Sequence, residues 1–182
     1  NISTFSSTNP RQPAHKTRRK MSDLRMTSKR EDKEFDPHPE GTFMAVCRDI
    51  WIERKPNPKV GQKNQWGNDE PEELVRVVFE FLTDEPIEVN GEMHPRFISA
   101  KLNHTWAEKG KLRAFVSAWD PALGRSEDAD LETLVGRGAY LTITHNVGND
   151  GTVWANITNV AAPPKGATVP GVPSEFTRRR YR

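Results

Sequence analysis

Apolar and polar residues alternate along five stretches of the chain, which is the pattern of β-strands with one buried face. In "LVRVVFEFL" (74–82), every second residue from Val75 to Phe81 is apolar, and Arg76 and Glu80 lie on the opposite face. The other four stretches are "TFMAVCRDIWIE" (42–53), "RFISAKL" (96–102), "AYLTITHN" (139–146) and "TVWANITNV" (152–160). The pattern therefore predicts five strands.

Between the third and fourth strands the apolar spacing changes to that of a helix. Thr105 and Glu108 have the spacing of a capping box, and Asp120-Pro121 would end the helix. A second short helix is predicted from Ser126 to Val135, ended by Gly136. The apolar stripe of the first helix follows the i, i+3, i+4, i+7 spacing and consists of Leu112, Phe115, Val116 and Trp119.

Three strands, a helical insert and two further strands give the order β-β-β-α-(α)-β-β. This is the order of an OB-fold, a five-stranded Greek-key barrel, so we predict a mostly β, OB-fold-like domain over residues 41–165. An α+β sheet with a helix on one face is the alternative. Residues 1–40 are polar and are predicted to be disordered, with 1–20 upstream of a natural start at Met21. The Pro/Gly-rich, basic stretch 166–182 is predicted to be a disordered tail.

Composition limits the classes of protein that fit. With 34% apolar and 29% charged residues in 182, the chain can hold one domain with tails. The single cysteine, Cys47, excludes an internal disulfide and a cysteine-based zinc site, and its apolar surroundings predict a buried thiol. No apolar run approaches the ~20 residues of a membrane span, and no signal peptide opens the sequence. We therefore expect a soluble protein of a reducing cytoplasm.

The charges are unevenly distributed. The net charge of the chain is +2, but residues 41–166 carry 14 basic and 18 acidic residues, while the chain ends in "RRRYR". A basic surface on the domain must therefore be a local patch. Strand parity places Trp154 on the polar face of its strand, opposite the apolar Val153, Ala155 and Ile157, and places Tyr140 on the polar face of the preceding strand.

Aromatic rings among cations suit single-stranded nucleic acid, because every base can stack on a ring while lysine and arginine contact the phosphates. In an OB-fold the loop between the first two strands and the loop between the last two flank the binding face. The alternative for Trp154 is packing beneath the helical insert or the tail. The predicted nucleic-acid-binding residues are Lys59, Lys63, Trp66, Arg76, Phe97, Lys101, Tyr140, Trp154 and Asn156.

The sequence contains no motif of a known catalytic chemistry. A P-loop, a Gly-x-Gly-x-x-Gly stretch and a His-x-x-x-His pair are all missing, and the five histidines are scattered. We predict no catalytic residue, no metal site and no cofactor. The alternative is a metal-dependent nuclease that uses the acidic run "NDEPEE", with Asp69, Glu70, Glu72 and Glu73.

Three stretches carry a resemblance to a known family: "KLRAFVSAW" (111–119), "DLETLVG" (130–136) and "WANI" (154–157). Together with "PEGTFMAVCRDI" and "PNPKVGQKNQWG", they resemble a family of small proteins of tailed phages and prophages. The resemblance covers about residues 39–166. Some members of that family are assigned as single-stranded DNA-binding or replication-associated OB-fold proteins. The basic C-terminus departs from the acidic tip of many single-strand binders, which argues against recruitment of host replication proteins by that route.

The function predicted from the sequence is therefore non-enzymatic binding of single-stranded DNA, with RNA as a second possibility, during phage or prophage replication or recombination. The bacterial host cytoplasm is the expected location, and phage or host replication and recombination proteins are the expected partners. The alternative function is a phage accessory module that binds another protein and no nucleic acid. The acidic balance of the domain favours that alternative.

Overall fold

The structure is a computed structural model that describes residues 36–179. Predictions for residues 1–35 and 180–182 lie outside the described residues. The elements are β1 (Gly41–Pro56), β2 (Glu73–Val89), β3 (Glu92–Asn103), α1 (Lys111–Trp119), α2 (Pro121–Arg125), a 3-10 turn (Leu131–Leu134), β4 (Gly138–Val147) and β5 (Val153–Ala161). All five predicted strands and the first helix are confirmed. No helix in the described part of the chain has both the length and the apolar character needed to cross a membrane.

The strands form one antiparallel sheet in the order β3-β2-β1-β4-β5, so β3 and β5 are its edges. The mostly β class with a helical insert between β3 and β4 is thus confirmed. Asn90 and Gly91 connect β2 and β3 with φ values of 55° and 84°. Two consecutive left-handed residues of the Asn-Gly type make the tight turn that fits the twist of a hairpin.

Helix α1 covers one face of the sheet, and the core lies between them. Val116 and Trp119 of α1 are buried against Phe79 and Phe81 of β2. The Trp119 ring lies 5.4 Å from the Phe81 ring, and its indole N–H donates to the carbonyl of Gly138 at 2.7 Å. The apolar stripe of the sequence therefore faces the apolar side of the strands, as the two periods require.

Cys47 lies in this core and is fully buried. Burial, with Asp49 nearby, raises the pKa of its thiol to about 12. A thiol with such a pKa stays protonated at neutral pH and is a poor nucleophile. The predicted buried thiol is confirmed.

The second predicted helix, 126–135, is wrong. The structure places a five-residue helix earlier, at Pro121–Arg125, and keeps only a 3-10 turn at Leu131–Leu134. Asp120 ends α1 and caps α2 by accepting from the N–H groups of Ala122 and Leu123, with proline at the start. Between these elements, the side chains of Ser126 and Asp130 hydrogen-bond nearby backbone, which favours turns over helix.

The capping-box prediction is also wrong. The N-cap of α1 is Gly110, which makes no side-chain cap hydrogen bond. Thr105 and Glu108 lie in the preceding loop, five and two residues before Gly110. The helix starts late because its stability comes from the buried stripe, which begins at Leu112.

We expect Asp120→Ala to lower the free energy of unfolding by about 1–2 kcal/mol, because it removes the cap of α2. Asp120→Asn should cost less, since an amide oxygen still accepts both N–H groups. Hydrogen bonding from the Leu123 N–H, and then from Arg137, lowers the pKa of Asp120. A lowered pKa stabilises the fold above the unfolded value of about 4 and loses that effect as the pH falls through the folded pKa.

Urea unfolding of the wild type and both Asp120 variants between pH 2 and 7 measures these effects. The difference in the free energy of unfolding between the wild type and Asp120→Ala should be largest at pH 7 and should decrease as the pH falls. If this difference in the free energy of unfolding did not change with pH, the charge of Asp120 would not be the source of the stabilisation.

The two terminal segments differ from the predicted tails where the structure describes them. At the N-terminal side, His38 is buried and its Nε2 lies 2.8 Å from the hydroxyl of Thr83, so order begins before residue 41. At the C-terminal side, residues 166–179 return to the sheet. A Cβ on Gly138 would lie 2.6 Å from Val169, and Arg178 pairs with Asp49 at 2.9 Å. The predicted disorder is therefore wrong for 36–40 and 166–179, where buried partners fix the chain.

Candidate nucleic-acid interface

The sheet face opposite α1, here called the outer face, carries the polar positions of β2 and β3. Arg76 lies opposite Glu53 of β1 and Asn103 of β3, and Lys101 lies opposite Val78 of β2. Directly opposed residues of an antiparallel ladder point to the same face. The structure thus brings Arg76 and Lys101 together on one surface, as strand parity predicts.

A groove runs from this surface around the β3 edge to α1, and we call it the basic groove. It has a volume of about 680 Å³, and a second depression of about 520 Å³ continues it along α1 and β5. The two share Lys101, Leu102 and Lys111. The residues lining the first part are Trp66, Arg76, Lys101, Leu102, Asn103, Thr105, Gly110 and Lys111.

The groove has a positive lining. Arg76 and Lys111 form no ion pair with any residue that the structure describes, so their charges are available to a ligand. Lys101 contacts the carboxylate of Glu53 at 3.3 Å. Hydrogen bonding from Lys55, and then from Lys101, lowers the pKa of Glu53 and keeps it charged at neutral pH. Two cations therefore face the groove directly, and a third is shared with a carboxylate.

Trp66 presents an exposed ring at the groove, with 75% of its surface accessible. The side chain of Asn64 accepts hydrogen bonds from the N–H groups of Trp66 and Asn68, and Gly67 adopts a left-handed φ of 80°. An ion pair of 2.6 Å between Lys63 and Asp69 closes the base of this turn. The loop is therefore built by its own hydrogen bonds, and the tryptophan is held outward.

The predicted loop lysines have different positions. Lys63 is engaged with Asp69, as described above, and Lys59 is exposed in the first turn of the loop and does not line the groove. In the acidic run, Glu70 accepts from the side chain of Asn57, and Glu73 lies 3.5 Å from Arg54. The first contact lies within the loop, and the second joins β1 to β2.

The remaining predicted residues lie outside the groove. Phe97 is 55% exposed and carries the guanidinium of Arg48 on its ring, at 4.5 Å. Tyr140 is 38% exposed on β4, opposite Met44. Asn156 donates from its side chain to the carbonyl of Trp154.

Trp154 is 53% exposed and lies opposite Asn146, next to the turn of the β4–β5 hairpin. Strand parity is confirmed here: Ala155 and Ile157 pack against the core, and Trp154, which directly precedes Ala155, points away from it. A Cβ on Gly148 would be 3.5 Å from the indole nitrogen, so the ring lies alongside the hairpin turn. The alternative of packing beneath the helical insert does not hold.

Sequence reasoning missed four cations and one ring. Lys111 lines the groove from the first residue of α1, where a surface lysine gives no distinguishing signal. The other missed residues are Arg48, Trp51, Arg178 and Arg179, which meet on the outer face. The irregular register between Cys47 and Asp49 is a β-bulge that turns both Arg48 and Asp49 to this face, and strict alternation cannot reveal it.

Comparison of the chain with protein-family models and with curated proteins finds no match. The resemblance to a phage and prophage family therefore stays a prediction.

Proposed function

We propose that this chain is a non-enzymatic protein that binds single-stranded nucleic acid, with DNA of phage or prophage replication or recombination as the leading ligand. The observation that carries the proposal is the basic groove, where an exposed tryptophan adjoins Arg76, Lys101 and Lys111. Backbone phosphates need cations, and unpaired bases need a ring, so this groove offers both interactions that a single strand uses.

The strand order supports an OB-type barrel as the finer description of the fold. In this sheet β1 pairs with both β2 and β4, and β3 and β5 remain as edges on either side of the second part of the groove. An OB barrel has the same neighbours, with its third and fifth strands closing the barrel. The loop that carries Trp66 and the β4–β5 hairpin that carries Trp154 would then flank the binding face.

In the proposed complex a base stacks on Trp66, and its flanking phosphates contact Arg76 and Lys111. Lys101 exchanges its contact with Glu53 for a third phosphate. A paired base hides both its faces in the helical stack, so the ring selects an unpaired strand. Trp154 and Tyr140 would stack further bases on a longer strand.

A salt titration of binding to a fluorescently labelled single-stranded oligonucleotide tests the proposal. The logarithm of the association constant should fall with the logarithm of salt concentration, with a slope of about −2 for three neutralised phosphates on a single strand. Double-stranded DNA of the same length should bind more weakly. Trp66→Ala should weaken binding by about tenfold, and Trp66→Phe by less, because a smaller ring still stacks.

The proposal fails if the protein at micromolar concentration does not bind single strands at low salt, or if binding does not depend on salt. If Trp66→Ala bound single strands as tightly as the wild type, the bases would not stack on Trp66 in the basic groove.

A protein-binding module is the second candidate. The β2–β3 hairpin tip exposes Val89 and Met93, and the β4–β5 hairpin exposes Val147 at 71%. Exposed apolar side chains at loop tips suit a protein contact. A pull-down that recovers one protein after nuclease treatment, together with no binding to single strands, would favour this candidate.

A further inference from the structure

The last described residues, Phe176–Arg179, lie on the outer face of the sheet, and we call them the C-terminal strap. The side chain of Arg178 donates to Asp49 at 2.9 Å and pairs with both oxygens of Glu132. The backbone N–H of Arg179 donates to the second oxygen of Asp49 at 2.8 Å. The strap is therefore held by both side-chain and backbone hydrogen bonds.

Asp49 is the anchor of the strap. Its side chain is only 1% exposed, and both its oxygens accept hydrogen bonds from the strap. A buried carboxylate without a partner is strongly unfavourable, so Asp49 and Arg178 form a matched pair. The hydrogen bonds to Glu132 and Asp49 raise the pKa of Arg178, which keeps it charged throughout the ordinary pH range.

Ring contacts extend the docking surface. The guanidinium of Arg48 lies between the rings of Phe97 and Phe176, at 4.5 and 4.6 Å from their centres. The guanidinium of Arg179 lies 4.1 Å from the centre of the Trp51 ring. Flat cations on aromatic faces are favourable contacts, and they fix the direction of the strap across the sheet.

The strap makes the local charge of the outer face positive. Without it, four carboxylates are balanced by four cations; these are Asp49, Glu53, Glu80 and Glu132 against Arg48, Lys55, Arg76 and Lys101. Arg178 and Arg179 add two cations. Arg179 also lies 3.9 Å from Glu80, which Arg48 contacts from another side. A surface with balanced charges thus gains a positive excess.

The strap also lies next to the basic groove. Trp51, under Arg179, is opposite Val78, and Val78 is opposite Lys101 of the groove. Two strand spacings separate these positions, which is about 10 Å. One or two nucleotides span such a distance.

We propose that the C-terminal strap is a part of the nucleic-acid-binding surface, which gives the outer face a positive excess and places Arg179 beside the basic groove. This inference rests on the proposed function. A docked strap differs from a freely moving basic tail, because with a docked strap the affinity for nucleic acid depends on the docking and not only on the charge.

The double variant Asp49→Asn/Glu132→Gln separates docking from charge. It removes the two carboxylates that hold Arg178 and keeps every arginine, so the protein becomes more positive by two charges. Charge alone predicts tighter binding to DNA. Docking predicts weaker binding, by about tenfold at 0.1 M salt, with a salt slope that is smaller in magnitude by about 0.7 for each phosphate that the strap no longer neutralises.

The matched control is Glu127→Gln/Asp128→Asn, which makes the same charge change at exposed positions in the segment between α2 and the 3-10 turn. A trypsin time course followed by mass spectrometry reports docking without DNA. Cleavage after Arg178 should be slow in the wild type and in the control, and fast in the Asp49/Glu132 variant. Circular dichroism and thermal melting establish that all three proteins fold.

Weaker binding in the folded Asp49/Glu132 variant, with unchanged or tighter binding in the control, supports the inference. Equal or tighter binding in both variants overturns it while the proposed function stands. If the wild type does not bind DNA, both the proposed function and the strap's role in it are overturned. The trypsin result then reports only whether the strap is docked.

Discussion

Replacing Arg76 and Lys111 together by glutamate should weaken binding of single-stranded DNA by about a hundredfold at 0.1 M salt. Each cation that neutralises a phosphate on a single strand is worth about fivefold in affinity under these conditions, and the two new carboxylates add repulsion. The salt slope should fall in magnitude by about 1.4, because two phosphates keep their counterions in the complex. Fluorescence anisotropy of a labelled oligonucleotide across a salt series measures both quantities.

The matched control for this charge reversal is Arg125→Glu/Lys165→Glu. Both positions are exposed and neither lines the basic groove, yet the net charge changes by the same amount. Binding should weaken only a few-fold, through the long-range field of the protein. Equal losses in the two double variants would show that total charge, and not the groove, determines affinity.

Trp119→Ala should lower the free energy of unfolding by about 3–5 kcal/mol, a large part of the stability of a domain of this size. The substitution empties the space between α1 and Phe81, and it leaves the carbonyl of Gly138 without its indole donor. Trp119→Phe should cost less, because a ring still fills most of that space.

Urea unfolding followed by circular dichroism measures both Trp119 variants. The two losses should differ by about 2 kcal/mol, reflecting the buried area that phenylalanine retains. A loss below about 1 kcal/mol in Trp119→Ala would contradict the position of α1 as the cover of the core.

The strands and the first helix could be predicted because their signal is local. Apolar residues repeat every second position in β2 and at helical spacing in α1, and burial of those residues drives the fold. The segment 126–135 was mispredicted because Asp120 and Pro121 cap a new helix at once. Two polar residues then form turns with their own backbone. In this segment the hydrogen bonds of the capping and turn residues determine the structure more strongly than the weak apolar pattern does.

The candidate site was only partly predictable for a different reason. Arg76, Lys101 and Trp66 could be predicted to lie near one another, because strand parity places Arg76 and Lys101 on one face and Trp66 lies in the loop between β1 and β2. The strap was missed because its hydrogen bonds join residues far apart in sequence: Arg178 lies 129 positions from Asp49 and 46 from Glu132. An arginine-rich segment has no periodicity, and only the folded sheet supplies its buried partners.

The close approach of Gly138 to Val169 limits which residues can replace glycine at position 138. A Cβ at position 138 would lie 2.6 Å from a methyl group of Val169 and 3.2 Å from the ring of Pro163, so the segment after β5 would have to shift. The C-terminal strap would then no longer reach Asp49, and arginine at position 178 would have no selective advantage over other polar residues. Glycine at 138, aspartate at 49 and arginine at 178 should therefore be retained or replaced together among relatives of this chain, although no two of them are neighbours in sequence.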